Sequence, residues 1–418
     1  MNTSSPSSTG WQRGFWNLMG TQAQNAFSDN ALKNLVILLV LARPMSEEAR
    51  NTQVALAGAL FAAPFILFSM LGGWLADRFS KQRVMQTVKL AEMGIMLFAA
   101  VGLGLHNPPI QFAAIFLMGC HSAIFGPSKY GILPEVLPLE KLSWGNGLLE
   151  LLTFLGIILG TIAGGYLADA MWRWHSVPLM SALPGLMLAA LAFVGWRMSH
   201  HITHVPATNP HAGLRINPVT DLWRQLKVMK PDRDLWRANW GNTGFYFIAA
   251  LVQMNLALYA RDVLHLDDAH NSLLGGALAI GIGIGSVVAG YVSRGHIEYR
   301  LVPVGAIGLA LSTLPMGIPG ISISAFCTCL VALGFTGGLF IVPVAAVLQH
   351  RPAAGSKGAV QGAANLLSFI GILAASGVVY LNSQGFFSLG QVFWICGALA
   401  LATGVYVLLS RGWVAPKE

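Results

Sequence analysis

Long apolar runs dominate this sequence, each broken after some twenty residues by a short polar or Pro/Gly-containing connection. Twelve such segments can be marked, at roughly 15–42, 52–76, 84–105, 110–133, 143–169, 177–197, 235–260, 271–293, 301–319, 321–348, 358–381 and 389–410. A helix needs about 20 mainly apolar residues to cross the hydrocarbon core of a bilayer. Helices are the expected form, because a backbone in lipid must pair its polar groups within the segment. Connections such as Asn107-Pro108-Pro109 and Ile318-Pro319-Gly320 carry turn signals. One connection is long. Residues 198–234 hold His200, His201, His204 and His211 and run into a basic, Trp-containing stretch from Asp221 to Arg237. This connection reads as a flexible loop between an N-terminal six-helix bundle (1–197) and a C-terminal one (235–418).

The two halves repeat. Asn146-Gly-Leu-Leu-Glu-Leu-Leu-Thr-Phe-Leu-Gly-Ile157 aligns with Gln361-Gly-Ala-Ala-Asn-Leu-Leu-Ser-Phe-Ile-Gly-Ile372 at an offset of 215 residues. Asn146/Gln361, Glu150/Asn365 and Thr153/Ser368 are polar counterparts. Such parallel halves are the build of transporters with a site between pseudo-symmetric bundles. Composition agrees. The 418 residues are 55% hydrophobic and only 10% charged, with 47 glycines, and the mean hydropathy is +0.61. Soluble domains carry about 25% charged residues, and disorder requires low hydrophobicity. The net charge of +8 is therefore a topology signal before it is a nucleic-acid signal. With both termini cytoplasmic, 18 Lys and Arg fall on the cytoplasmic side and four (Arg43, Arg50, Arg173 and Arg261) on the other. That split obeys the positive-inside rule. Residues Met1 to Gly10 lack a charged n-region and a cleavage site, so the first span is expected to be retained. Cys120, Cys327, Cys329 and Cys396 lie in apolar runs and read as core residues. No metal, cofactor or nucleophile–base set is expected, and no enzymatic activity.

Four groups of residues carry candidate chemistry. In span 1, Gln22, Asn25, Asp29 and Lys33 fall within an arc of roughly 80°, and Asp29 and Lys33 at i,i+4 are placed to pair. Charges inside a span are costly and face the bundle interior. Proton carriage by Asp29 ranks below a polar binding role, because a neighbouring Lys favours the ionised carboxylate. Asn30, rotated about 100° from Asp29, is better placed to bond a neighbouring helix. Span 4 ends with Lys129, placed either to snorkel or to meet an anion. Lys89 and Glu92 in span 3 read as an i,i+3 pair, and Glu150 is a further interior charge in span 5. The glycines Gly156, Gly160 and Gly164 lie near one face of span 5 and admit a close neighbour.

After span 2 comes Gly73-Trp-Leu-Ala-Asp77-Arg78-Phe-Ser-Lys81-Gln-Arg83. It resembles the loop motif of the major facilitator superfamily, with Ser80 where Gly is usual. There Gly73 permits close packing, Asp77 is placed to pair with Arg across the loop, and the cluster including Arg78 and Arg83 acts as a conformational latch. The second-half counterpart, Gly290 to Gly295, lacks the Asp. Further strings are more specific: Ala26-Phe-Ser-Asp29-Asn30-Ala-Leu, Gly126-Pro-Ser-Lys129-Tyr-Gly-Ile-Leu133, Asn146-Gly-Leu-Leu-Glu150 and Gly337-Gly-Leu-Phe-Ile-Val-Pro343. With these the chain is similar, over nearly its whole length, to the bacterial lysophospholipid transporter family of that superfamily. The resemblance implies an all-α polytopic membrane protein with 12 transmembrane helices in two pseudo-symmetric six-helix bundles. It also implies inward movement of lysophospholipids, chiefly lyso-phosphatidylethanolamine, across a Gram-negative inner membrane. A separate acyltransferase/acyl carrier protein synthetase would then reacylate them, since the chain stops at Glu418. Asp29 is expected to meet an ammonium and Lys129 a phosphate. Span 7 departs from a pattern with a basic anchor: only Gln253 and Asn255 are polar at its centre, which favours zwitterionic substrates. The rival readings are a proton-coupled drug or small-metabolite exporter and a helical scaffold for a lipid enzyme.

Overall fold

The computed structural model describes residues 10–173, 177–214, 217–266 and 268–408. The polar N-terminal residues 1–9 and the basic Arg215, Arg411 and Lys417 lie outside the described residues. Thirteen α-helices are formed among them: α1 (Gly10–Leu41), α2 (Glu47–Arg78), α3 (Lys81–Gly104), α4 (Pro108–Val136), α5 (Leu139–Arg173), α6 (Pro178–Ser199), α7 (Pro218–Met229), α8 (Arg233–Asp262), α9 (Asp268–Val292), α10 (Leu301–Met316), α11 (Ile323–His350), α12 (Lys357–Ser383) and α13 (Leu389–Leu408). Twelve of them follow the twelve apolar segments. Several run past those segments, as α5 does, because a helix continues through charged end residues that hydropathy alone discards.

Among the described residues, ten helices are long and apolar enough to cross a membrane. Helix α10 is shorter, at 16 residues. Helix α1 has 32 residues but is diluted by Gln24, Asn25, Asp29, Asn30, Lys33 and Asn34. Helix ends follow local chemistry. Asn107 caps α4 by accepting the Ile110 N–H at 3.2 Å, ahead of two prolines whose missing N–H groups cost nothing there. Gly320, with φ +78°, closes the turn before α11 in a conformation that a Cβ disfavours.

The chain divides into two compact units. One comprises α1–α4, α5 from Leu155 onward, α6, the linker as far as Leu222, and Ala353–Asn365; the other comprises Pro138–Phe154, Trp223–Pro352, α12 from Leu366 onward, and α13. The two short segments that join the opposite half of the sequence begin at Pro138 and Ala353, 215 residues apart, which is the offset of the internal repeat.

In the first unit the glycine face of α5 packs on α1. A Cβ at Gly156 would lie 2.7 Å from the Ala23 carbonyl oxygen, and one at Gly164 would lie 2.8 Å from that of Ala31, while Gly160 meets the Phe27 backbone. Ala23, Phe27 and Ala31 lie roughly 150° around α1 from the polar arc, so this seat turns the arc toward α3 and α4. In the second unit, Tyr259 stacks on Phe326 at 5.1 Å between ring centroids, Phe393 meets both edge-on, and Phe245 stacks on Phe340 at 5.9 Å.

Where a flexible loop was expected, the described part of the long connection makes specific contacts with α2 and α3. Gln82 Nε2 donates to the carbonyls of His200 (3.1 Å) and Ile202 (2.6 Å). His204 Nδ1 lies 3.1 Å from Gln82 Oε1 and 3.3 Å from Ser80 Oγ. Trp74 Nε1 and an Arg78 terminal nitrogen both donate to the Ala212 carbonyl, at 3.1 and 2.5 Å. Helix α7 follows, exposing Val219, Trp223 and Val228 and burying Asp221, Gln225 and Met229. Polar composition concealed these contacts, because the anchors are side chains of α2 and α3 that seek backbone carbonyls far along the chain.

Candidate functional site

The polar arc of α1 closes into a buried hydrogen-bonded ring with α3 and α4. Asp29, 8% exposed, accepts at Oδ2 from Ser122 Oγ (2.6 Å) and Asn25 Nδ2 (3.1 Å). The carbonyl oxygen of the Asn25 amide accepts from Lys89 Nζ at 3.3 Å. Lys89 forms an ion pair with Glu92, and both side chains are fully buried. Gln24 Nε2 donates to Glu92 Oε1 at 2.8 Å and to Ser28 Oγ at 2.7 Å. His121 closes the ring, with Nε2 3.4 Å from Glu92 Oε2 and Nδ1 3.3 Å from Ser122 Oγ. Its ring stacks on Phe125, and Lys89 Nζ lies 5.6 Å from the centre of the Phe125 ring. Burying charges is tolerable only with partners, and here every charged group has at least one.

The expected i,i+4 pair is corrected. Asp29 and Lys33 form no ion pair among the described residues. Lys33 Nζ donates to Asn30 Oδ1 at 3.2 Å and lies 5.1 Å from the centre of the Phe61 ring. Asn30 reaches no neighbouring helix either: its Nδ2 donates to the Ala26 carbonyl one turn back at 2.8 Å. Cross-helix donors in α3 and α4 hold the arc, where sequence spacing pointed to a partner within α1. The i,i+3 pair of Lys89 and Glu92 is present. His121, Ser122 and Gln24 were missed by the sequence reading; a lone His in an apolar run was the available signal.

The remaining residues are dispersed. Gln22 is buried on α1, and Glu150 is buried on α5. Lys129 is half-buried, 4.7 Å from the centre of the Tyr130 ring. Gln253 is exposed on α8. Asn255 is buried and donates to the Leu389 carbonyl at 2.9 Å.

At the end of α2, Asp77 pairs with no Arg among the described residues. It accepts the Gly358 and Ala359 N–H groups at 2.7 and 2.8 Å and the Thr208 hydroxyl at 3.3 Å. It thus caps the start of α12, where free N–H groups and the helix dipole favour an anion. Gly73 makes the approach possible, since a Cβ there would lie 2.5 Å from the Gly358 carbonyl oxygen. Arg78 turns to the linker and the Trp74 ring, Lys81 pairs with Glu135 at 2.8 Å, and Arg83 is exposed. Ser80 takes φ −56°, a conformation that needs no glycine, so its replacement of the usual Gly leaves an ordinary helix start.

In the second unit, Asp232 caps α8 and accepts from Arg351 at 3.0 Å, while Asp234 lies 3.1 Å from the same guanidinium. Burial works to raise the Asp232 carboxyl. The Arg351 hydrogen bonds, the Leu235 and Asp234 N–H groups and the Arg351 charge outweigh it and hold Asp232 below the usual carboxylate range.

Comparison with known proteins shows the family. The profile of the Major Facilitator Superfamily matches residues 25–376. A protein named lysophospholipid transporter LplT from Enterobacter sp. (strain 638) is 28% identical over 408 residues, covering 96% of this chain and 97% of that one. Its namesake from Salmonella newport (strain SL254) is 30% identical over 346 residues, covering 82% of this chain and 80% of that one. Among solved structures, the human organic anion transporter MFSD10 (TETRAN) superposes with a TM-score of 0.78 at 14% identity, covering 97% of this chain and all of that one. The transporter FucP, crystallised in the outward conformation, superposes with a TM-score of 0.76 at 10% identity, covering 96% and 99%.

Proposed function

The chain belongs to the major facilitator superfamily, in its lysophospholipid transporter branch, and from that premise we propose that it carries lysophospholipids across the membrane it spans. The observation that carries this reading is similarity to lysophospholipid transporters along 96% of the chain. The site chemistry supports it. A lysophospholipid has one acyl chain and a phosphate-bearing head, and such a ligand suits an apolar cavity with few polar anchors. Asp29 is the anchor for a headgroup ammonium, with Gln22 and Asn25 beside it on the same arc, and Lys33 and Asn30 one turn on. Lys129 is the anchor for the phosphate. Glu150 and Gln253 serve as further polar contacts, and an uncharged α8 centre suits a zwitterionic head such as that of lyso-phosphatidylethanolamine.

The bundles at 1–197 and 235–418, joined by 198–234, are the bodies that alternating access would move, with Gly73, Asp77, Arg78 and Arg83 as the latch. The 18-to-4 distribution of Lys and Arg supports cytoplasmic termini in a bacterial inner membrane. Delivery to the inner leaflet would supply a separate acyltransferase. Uptake of labelled lysophosphatidylethanolamine into spheroplasts lacking their own transporter tests the reading, beside a dye-efflux assay. Uptake without efflux is expected. Efflux without uptake moves the chain to the exporters, and neither activity leaves a scaffold.

A further inference from the structure

A second polar cavity lies in the first unit, at the end of α1 opposite the N-terminus. Its volume is about 270 Å³, and it is lined by Leu39 and Arg43 at the end of α1, His106 in the α3–α4 turn, Gln111 of α4, and Met171 and Trp172 of α5. At 1.5 Å per residue, roughly 18 Å of helix separates Asp29 from Leu41 at the end of α1. The cavity is therefore distinct from the buried ring. With both termini cytoplasmic, it opens on the outer face.

Arg43 is the cation of this cavity and is half-buried. One of its terminal nitrogens donates to Gln111 Oε1 at 3.0 Å. Gln111 is 2% exposed, and its Nε2 donates to the Gly102 carbonyl at 3.0 Å. The amide is thus locked with its oxygen toward the guanidinium, but that partner is neutral. A guanidinium carries five N–H donors. Burial works against the charge of Arg43, and no carboxylate offsets it. Arg173, next to Trp172, is paired with Asp169 instead. His106 adds a second constraint. It takes φ +49°, a left-handed conformation uncommon for a residue with a side chain. The turn holds it there through the His106 and Asn107 N–H groups, which donate to the Leu103 and Gly102 carbonyls at 3.1 and 2.9 Å. Its Nε2 lies 3.3 Å from Ser181 Oγ, which fixes the ring at the cavity wall.

The chemistry of the cavity selects its ligand. The planar fork of an arginine meets a phosphate at two points. Trp172, 44% exposed at the end of α5, stands where tryptophans mark the membrane–water interface at the level of the lipid headgroups. Leu39 and Met171 supply an apolar wall. Sites that enclose a whole drug-sized ligand run to about 300–1,000 Å³. This cavity is smaller, so it takes a head and leaves the acyl chain in the lipid.

We propose that Arg43, positioned by Gln111 and flanked by His106 and Trp172, is a loading site that captures the phosphate of a lysophospholipid from the outer leaflet. The proposal rests on the transport reading for its cargo.

Two measurements on the full chain test it. The first is the fluorescence of Trp172 in detergent, taken as the difference between each protein and its Trp172→Phe version. It should respond saturably to lysophosphatidylethanolamine and not to a monoacylglycerol of the same chain, which lacks the phosphate. Arg43→Gln should abolish the response. The second is uptake of labelled lysophosphatidylethanolamine into spheroplasts lacking their own transporter. Arg43→Gln should raise the apparent KM about tenfold, the scale of one lost charge-assisted hydrogen bond, and leave the saturated rate within about twofold, the pattern of a binding contact. Arg43→Lys keeps the charge and loses the fork. It should fall between wild type and Arg43→Gln, so a poorly inserting Gln variant does not end the test. A response as strong to the monoacylglycerol overturns the phosphate site. One as strong to diacyl phosphatidylethanolamine makes it a general lipid contact and overturns the loading role. An unchanged KM in both variants overturns the proposal and leaves transport standing. An Arg43-dependent response to lysophosphatidylethanolamine in a protein that does not move it supports the site and defeats the transport reading.

Discussion

The interiors of the two units solve the same packing problem with different chemistry. In the first, α1, α3 and α4 enclose a polar ring of Asp29, Lys89, Glu92 and His121. In the second, Tyr259, Phe326 and Phe393 form an aromatic stack, and its buried polar contacts include neutral ones, Asn242 to Ser368 at 2.8 Å and the reciprocal Asn146–Gln349 pair at 2.9 and 2.7 Å. The ends of α2 and α9 repeat the contrast. Gly73 lets α2 approach the α12 backbone, and Gly290 lets α9 approach that of α5, where a Cβ would lie 2.7 Å from Trp144 Cα. Yet only the first carries an acidic cap; Arg294 follows Gly290 where Asp77 follows Gly73. Duplication preserved the small-residue contacts, which set how closely helices approach. It left the charges free to diverge, because a buried charge survives only where a whole set of partners accompanies it.

The largest expected effect strikes the ring. Glu92→Leu strands Lys89, Gln24 and His121, and breaking a buried pair in this way should cost about 3–5 kcal/mol, read as a fall in thermal stability in detergent. Adding Lys89→Met should recover most of that stability, since a matched apolar pair is often neutral. A single variant as stable as wild type would show that the ring is not ionised.

Next comes the cap on α12. Asp77→Ala removes two backbone N–H bonds and one hydroxyl bond to a charged acceptor and should cost about 1.5–3 kcal/mol, slowing uptake while leaving equilibrium lysolipid binding within about twofold. A large loss of affinity would instead place Asp77 in the binding site. Smaller again is Phe326→Leu, which should lose the roughly 0.5–1.5 kcal/mol that stacked geometry adds, read as a small fall in thermal stability in detergent. A fall as large as that of Glu92→Leu would mean that the aromatic interior carries more than stacking.

The smallest effect lies at Asp232. Its folded carboxyl titrates below the unfolded value near about 4, so its contribution is complete above that value and disappears as pH falls through the lower folded one. Asp232 and Arg351 are each about a third exposed, and solvent screening limits the difference to less than about 1 kcal/mol. Arg351→Gln should therefore lower stability at neutral pH by that amount, and the gap from wild type should close in acid. A constant gap from neutral pH into acid would separate Arg351 from Asp232.

Much of this protein was legible along the chain. The helical spans follow from runs of apolar residues, since hydropathy is a local sum and the bilayer fixes the length over which it is taken. The Gly156, Gly160 and Gly164 face announced a tight contact, because small residues recurring every fourth position leave a groove whatever fills it. The placement of Asp29 inside the fold followed from the cost of exposing a charge to lipid. The partners did not follow. Spacing nominated Lys33 for Asp29 and an Arg for Asp77, because i,i+4 and loop proximity are the contacts a sequence displays. Asn25 sits at the same spacing on the other side of Asp29 and is the one that bonds it, while helix packing added Ser122 for the first and the N–H groups of Gly358 and Ala359 for the second. The linker contacts were hidden for the same reason, since they come from Trp74, Arg78 and Gln82 on helices more than a hundred positions away. Sequence determined which groups had to be buried. Only the tertiary structure, by bringing α3 and α4 against the polar arc of α1, decided what they were buried against.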